Sequence, residues 1–342
     1  VVVSRPTRSA SWESSPAKIS HRAPKPDWLK IRPLAGETLV RLKKDLRAKD
    51  LFTVCEEARC PNLAECWNEG TATIMIMGGI CTRGCRFCAV TTGNPGGALD
   101  LDEPENTARA VAAMAARYIV VTSVDRDDLP DSGASHFAAT IQAIRSFSSE
   151  TLVEVLIGDL AGRLESLNTI VSAQPDMLAH NVETCRRLTR RVRDKRASYE
   201  QSLELLRRVK DLNPSLPTKS SIMVGLGETE DEVLETMDDL RSVGVDALTV
   251  GQYLRPSQKH LAVADYIPPE QFQYYEHMGL LKGFKYVASG PLVRSSYKAG
   301  SFHRLAQLGR QNAITATANP FRVLTGTGSG PAKVTPAGEH DG

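Results

Sequence analysis

The strongest constraint on this chain is an alternation. Short apolar runs recur at Thr73–Met77, Tyr118–Ser123, Leu152–Ile157, Asp176–Ala179, Lys219–Val224 and Ala247–Gly251, with a further run at Phe284–Ala288. Between them the pattern turns helical over Glu105–Arg117, Ala134–Ser146, Gly162–Ser172, Tyr199–Leu212, Glu228–Val243 and Pro269–Lys282. Strands alternating with helices of this length build a parallel sheet covered by helices. Six such units predict an α/β fold, a partial (β/α)6 barrel of the TIM type. A doubly wound open sheet is the alternative. No Gly-x-Gly-x-x-Gly opens a helix after the first run, which argues against a dinucleotide site.

The flanks read differently. Residues 1–35 are proline-rich and basic and predict a flexible arm. Its first 20 residues faintly resemble a transit segment but lack a clear amphipathic helix, so the cytoplasm is expected rather than a mitochondrion or plastid. Residues 36–70 predict an N-terminal extension that opens with a helix over Gly36–Lys49. Residues 71–283 form the barrel and 284–323 a C-terminal closing segment. The Gly-, Thr- and Pro-rich stretch 324–342 predicts a disordered tail. The net charge of +2 argues against a dedicated nucleic-acid binder. The longest uncharged stretch, Gly70–Thr82, falls short of the ~18 residues a membrane helix needs.

Six of the seven cysteines lie between residues 55 and 88. Cys55, Cys60 and Cys66 read C-x4-C-x5-C; Cys81, Cys85 and Cys88 read C-x3-C-x2-C. Disulfides need an oxidising compartment, and nothing here resembles a secretory signal. Zinc favours four closed ligands from paired C-x2-C units, and one such unit is present. Two sets of three thiolates on tight loops fit two iron–sulfur clusters best. A four-iron cluster held by three thiolates keeps one iron open for a ligand. Cys81 follows the first strand within a short Gly-rich turn, at the strand end where barrels place active sites. Cys185 stands apart and reads as a small buried apolar residue.

C-x3-C-x2-C with Phe87 before its last cysteine resembles the radical S-adenosylmethionine superfamily. Further segments narrow the resemblance: CEEARCPNLAECW at Cys55–Trp67, GGICTRGCRFCAV at Gly78–Val90, TSVDRDDL at Thr122–Leu129, AHNVET at Ala179–Thr184, KSSIMVGLGE at Lys219–Glu228 and GPLVRSSY at Gly290–Tyr297. Together they resemble the lipoyl synthase family over roughly residues 24–305. The first cysteine triplet and the RSSY segment separate it from other sulfur-inserting radical enzymes, such as those similar to biotin synthase.

That resemblance implies two 4Fe-4S clusters and S-adenosylmethionine. Cys81, Cys85 and Cys88 would hold the cluster that reduces S-adenosylmethionine. The 5′-deoxyadenosyl radical would then take hydrogen from C6 and C8 of an octanoyl chain. That chain sits on a lysine of a lipoyl carrier domain or the glycine-cleavage H protein. Cys55, Cys60, Cys66 and Ser296 would hold the second cluster, the sulfur donor. A reductant such as flavodoxin or ferredoxin and a cluster-delivery protein are implied partners, and a monomer is expected. An alkyl C–H has no useful acidity, so no catalytic side chain is expected beyond the cluster ligands.

Polar residues at strand ends supply further candidates. Thr122, Ser123, Asn181, Glu183, Arg193, Lys219 and Gln252, with Phe87, are expected to contact S-adenosylmethionine. Asp127 and Asp128 read as loop structure or salt bridging. The run Arg186–Arg196 carries seven basic residues. Arg193 is expected to turn inward, and Arg186, Arg187 and Arg190 to form a docking face for an acidic carrier. GLGETE at Gly225–Glu230 reads as a strand-to-helix turn, because its acids would repel phosphate.

Overall fold

The computed structural model describes residues 25–29, 62, 66, 71–297, 299 and 300. The predicted helix Gly36–Lys49, Cys55, Cys60, the transit-like segment and the tail 324–342 lie outside them. Seven strands form one parallel sheet: β1 (Thr71–Ile76), β4 (Tyr118–Ser123), β5 (Leu152–Leu156), β6 (Met177–Ala179), β7 (Thr218–Val224), β8 (Ala247–Gln252) and β9 (Tyr286–Gly290), in that spatial order. β2 (Ile80–Cys81) and β3 (Thr91–Thr92) make a separate parallel pair. The helices are α1 (Glu103–Ala113), α2 (Ala134–Phe147), α3 (Leu164–Ser172), α4 (Thr189–Val192), α5 (Tyr199–Leu212), α6 (Glu230–Ser242) and α7 (Pro269–Leu281). Chain order and sheet order coincide, which is the topology of an unclosed (β/α) barrel with a seventh strand. The run near residue 284 is that strand, paired with β8, so the sheet continues past the expected boundary at residue 283.

Residues alternate between the two faces of each strand. Ile74, Ile76, Ile119, Val121, Val153 and Val155 pack outward with α1, α2 and α3 in one apolar core. Ile222, Val224, Leu248 and Val250 do the same under α6 and α7. Each such side chain, removed from water, contributes about 1.5–3 kcal/mol. The alternate positions face inward and are mixed in character: Thr73, Thr122, Glu154, Lys219, Ser221 and Thr249. A lining of this kind leaves room and polarity inside the barrel for a ligand.

Two local expectations need correction. α1 does not run to Arg117: Ala115 takes φ 47° and ends the helix despite the alanine-rich sequence. The chain must turn there to enter β4, and tertiary geometry overrides propensity. β1 stops before Met77, which is left-handed at φ 64°. The GLGETE segment is a turn, as expected. Gly225 and Gly227 are left-handed, the Glu228 carboxylate accepts from the Gly225 and Leu226 N–H groups, and Thr229 with Glu232 forms a capping box on α6.

Candidate active site

Met77 and Gly78 throw the chain outward at the C-terminal edge of the sheet. The Met77 N–H donates to Glu103 Oε2 (2.8 Å), and its carbonyl accepts from Arg126 Nη1 (3.2 Å). The cysteine loop that follows is clamped by charge. Arg83, at its centre, is 4% exposed. Its guanidinium grips Asp127 with Nε (2.9 Å) and Nη2 (2.8 Å), and Asp159 with Nη1 (2.7 Å). Asp125 lies 3.8 Å away. These carboxylates hold Arg83 firmly charged. In return, Arg83 keeps Asp127 below the usual carboxylate range, and it does the same for Asp159 against the opposing effect of burial.

A second clamp comes from beyond α4. Asp194 accepts from the Gly84 N–H (2.9 Å), and its own N–H donates to Cys85 Sγ (3.3 Å). Arg196 holds Asp194 through Nε (2.9 Å) and donates to the Thr82 carbonyl through Nη2 (2.6 Å). His260 Nε2 donates to the Cys88 carbonyl (2.9 Å).

Cys81, Cys85 and Cys88 line one cavity of about 310 Å³. Burial pushes all three thiols up, Cys85 to about 12, and neighbouring cysteines raise Cys85 and Cys88 further. A metal bound at the thiols would offset that burial and favour the thiolate form. Among the described residues no three Cys, His, Asp or Glu side chains converge on a point that one ion could occupy. Three cysteines of one loop that line a shared cavity suit a polynuclear cluster. The opposite wall carries an unpaired acceptor: Asn181 Oδ1 is buried without a hydrogen bond, while its Nδ2 donates to Glu183 Oε1 (3.2 Å). Burial raises Glu183 above its ordinary value, and the nearby Arg193 opposes the rise. Thiols and unpaired acceptor together fit an iron–sulfur cluster with an organic ligand beside it, in a cavity of ligand size.

Most of the predicted ligand contacts reach this cavity. Phe87, Thr122, Ser123, Asn181, Glu183 and Arg193 all line it, and so does Ser296 with Ser295. Arg193 is turned inward as expected. It is steadied by Ser202, which accepts from Nη1 at 2.8 Å. Behind Ser202 stands His180, whose Nδ1 donates to the Ile157 carbonyl (2.9 Å). Burial, with Arg193 nearby, pushes His180 down to about 4, so it is neutral at pH 7.

Lys219 and Gln252 do not reach it. Lys219 points into the barrel, but its ammonium forms an ion pair with fully buried Glu154, which also accepts from the Tyr118 hydroxyl (2.7 Å). Gln252 spends its polar atoms locally: Nε2 donates to the Val224, Tyr253 and Asp265 carbonyls and Oε1 accepts from the Ile267 N–H. Arg186 and Arg187 are likewise tied down, to Glu200 and Asp239 and to Glu232. Cys185 is buried in an apolar cluster with Leu188, Val192 and Leu226. Asp127 and Asp128 sit in ion pairs, with Arg83 and Arg126.

Asp125, one of the polar residues that follow the second strand, also lines the cavity, whereas Arg83, Asp159 and His180 were missed. Arg83 stood inside a motif already read, where a charged residue beside cysteines was the available signal. His180 also stood inside a motif already read, AHNVET, while Asp159 reaches the site through pairing of distant strands, which leaves no local mark.

The segment bearing Ser296 leaves β9 and folds back over the barrel. Gly251 makes this possible, since a Cβ there would lie 2.2 Å from the Val293 carbonyl oxygen. Asn62 Nδ2 donates to the Leu292 carbonyl (2.7 Å), and the Cys66 N–H donates to the Asn62 carbonyl (2.9 Å). One hydrogen bond thus ties the region of buried Cys66 to the chain just before Ser296.

Comparison with known proteins points the same way. Residues 75–240 match the radical SAM superfamily model, and residues 5–60 match the model of the N-terminal domain of lipoyl synthase. A lipoyl synthase of Sorangium cellulosum is 54% identical over 81% of this chain and 78% of its own length. That of Thermus thermophilus is 56% identical over 80% of this chain and 85% of its own. The chain belongs to the lipoyl synthase family. As a member it is a sulfur-inserting radical S-adenosylmethionine enzyme, which implies a 4Fe-4S cluster and S-adenosylmethionine. The fold alone is shared with the solved structure of the FeFe-hydrogenase maturase HydG from Carboxydothermus hydrogenoformans. That match has a TM-score of 0.50 at 13% identity and covers 80% of this chain and 82% of that one.

Proposed function

We propose that this enzyme inserts two sulfur atoms, at C6 and C8, into an octanoyl chain borne on a lysine of a lipoyl carrier domain or of the glycine-cleavage H protein. The observation that carries the reading is the single cavity in which Cys81, Cys85 and Cys88 meet Ser296. In this reading the three cysteines hold one 4Fe-4S cluster, and Cys55, Cys60, Cys66 and Ser296 hold a second. Bound there, the clusters and S-adenosylmethionine supply the hydrogen abstraction and the sulfur, which no side chain can supply.

The chain's own residues bind, orient and exclude. Asn181 Oδ1 and the Glu183 carboxylate accept from the ligand's hydroxyl and ammonium groups; Arg193, held by Ser202, pairs with its carboxylate. Thr122 is oriented by donating to the Leu156 carbonyl (2.8 Å). Met75, Phe87, Leu156 and Ile157 give the cavity apolar wall that keeps water from reactive species. The Arg83 clamp fixes the loop before anything is bound. Further partners are a protein reductant and a cluster-delivery protein, and the expected setting is the cytoplasm. No helix among the described residues is long and apolar enough to cross a membrane.

The test is iron and acid-labile sulfide per chain after anaerobic reconstitution, followed by turnover of an octanoyl-lysyl peptide. About eight of each, with a lipoyl product, is expected. About four of each would remove the second cluster, and zinc persisting in place of iron would overturn the radical reading.

A further inference from the structure

The cysteine loop has an outer as well as an inner side. The three thiols face the cavity, while Gly84, Arg86 and Ala89 are exposed. Arg86 is stitched to two neighbours: its N–H donates to the Val192 carbonyl (2.9 Å), and its carbonyl accepts from the Leu261 N–H (3.2 Å). Those neighbours bring more positive charge. Arg190 and Arg191 on α4, Lys195 just after it, and Lys259 two residues before Leu261 are all exposed.

None of these five cations has an ion-pair or side-chain hydrogen-bond partner among the described residues. Their neighbours in sequence are engaged. Arg186 and Arg187 pair with acids of α5 and α6, Arg193 turns inward, and Arg196 occupies Asp194, the acid of the run. Among the described residues, internal pairing thus leaves uncompensated the subset woven around the cysteine loop. A solvated helix face would not single out that subset.

We propose that this patch docks the enzyme's one-electron donor, a small protein whose surface is acidic around its redox cofactor. The proposal rests on the reading of Cys81, Cys85 and Cys88 as cluster ligands. One electron leaves the donor's cofactor and enters the cluster; no bond to the protein changes. Electron transfer slows steeply with distance, so a donor must sit against the loop itself, and Arg86 lies between two of its cysteines. A carrier has a different need, because its lysyl arm must reach into the cavity rather than rest on the back of the loop. Charge complementarity of this kind acts on encounter and register and weakens with salt.

The experiment uses the reconstituted full chain and a triple variant, Arg190→Glu, Arg191→Glu and Lys259→Glu. Two properties are measured: affinity for an acidic flavodoxin at ~50 and ~300 mM salt, and S-adenosylmethionine cleavage driven by reduced flavodoxin or by dithionite. In the variant, flavodoxin should bind roughly tenfold or more weakly at low salt, with most of the salt dependence gone. Flavodoxin-driven cleavage should fall with it, and dithionite-driven cleavage should be unchanged. Unaltered flavodoxin affinity would overturn the proposal. So would a loss of affinity for an octanoylated carrier protein with flavodoxin binding intact, which would assign the patch to the carrier. Failure of the cluster reading is seen separately, as an absence of iron in the reconstituted wild-type chain.

Discussion

Arg83→Met tests the clamp at the centre of the cysteine loop. Arg83 and Asp159 are both buried, and Asp127 is mostly so. Removing one partner of a buried pair leaves an uncompensated charge and costs about 3–5 kcal/mol. With a urea slope of about 3 kcal/mol/M, the midpoint of the metal-free protein should fall by about 1–1.7 M. Arg83→Lys keeps the charge but loses the fork, so it should fall between. The pH profile gives an independent check. Arg83 holds the Asp127 and Asp159 carboxyls below their unfolded value of ~3.9. Their contribution is therefore present above pH ~4 and lost as pH falls through the depressed values. Wild type should lose that stability in acid, and the variant should show a flatter acid limb. Iron uptake should fall towards about four per chain, because a loosened loop no longer presents three thiolates together. A midpoint within ~0.3 M of wild type, with full iron, would show that this network does not hold the loop.

Burial pushes Asp125 up to about 6, so its contribution is present below pH ~4 and lost as pH rises through 6. Asp125→Asn should accordingly stabilise the metal-free protein at pH 8 by roughly 1–3 kcal/mol, and urea titrations at pH 4 and 8 check it. Lys219→Met should cost about 3–5 kcal/mol by stranding Glu154. Adding Glu154→Gln should recover most of that loss and restore S-adenosylmethionine binding by calorimetry, whereas a double variant that folds but cannot bind would return Lys219 to the ligand. Gly251→Ala drives a Cβ against the Val293 carbonyl and should cost about 1–3 kcal/mol. Limited proteolysis should then cut the chain after Gly290 faster than in wild type.

Much of the fold was readable in advance because periodicity is a local property. Tyr199–Leu212 and Tyr118–Ser123 appear with the limits their apolar patterns predict. Errors fell where geometry overrides propensity, as at Ala115, whose left-handed turn feeds β4. The cysteine loop was also legible, since ligands that share a loop must be close in sequence.

Lys219 and Gln252 mark the limit of that reading. Both stand at or near strand ends, the right place for ligand contacts, yet one faces Glu154 on β5 and the other a ring of backbone groups. Sequence places a residue on a strand face; it does not say which charge from another strand will meet it there. The same holds for the basic run, where spacing gave seven cations and only the folded contacts with α5, α6 and Asp194 decided which are paired among the described residues.

Family, parallel α/β architecture and the cysteines that can carry the chemistry were determined by the sequence itself, because periodicity and ligand spacing are short-range properties. The tertiary structure alone decided that Ser296 shares a cavity with Cys81, Cys85 and Cys88, that Asp159 locks Arg83, and that Ser202 holds the inward-turned Arg193. Those contacts join residues up to 215 positions apart, and such distances close only when the sheet curls and brings its strand ends together.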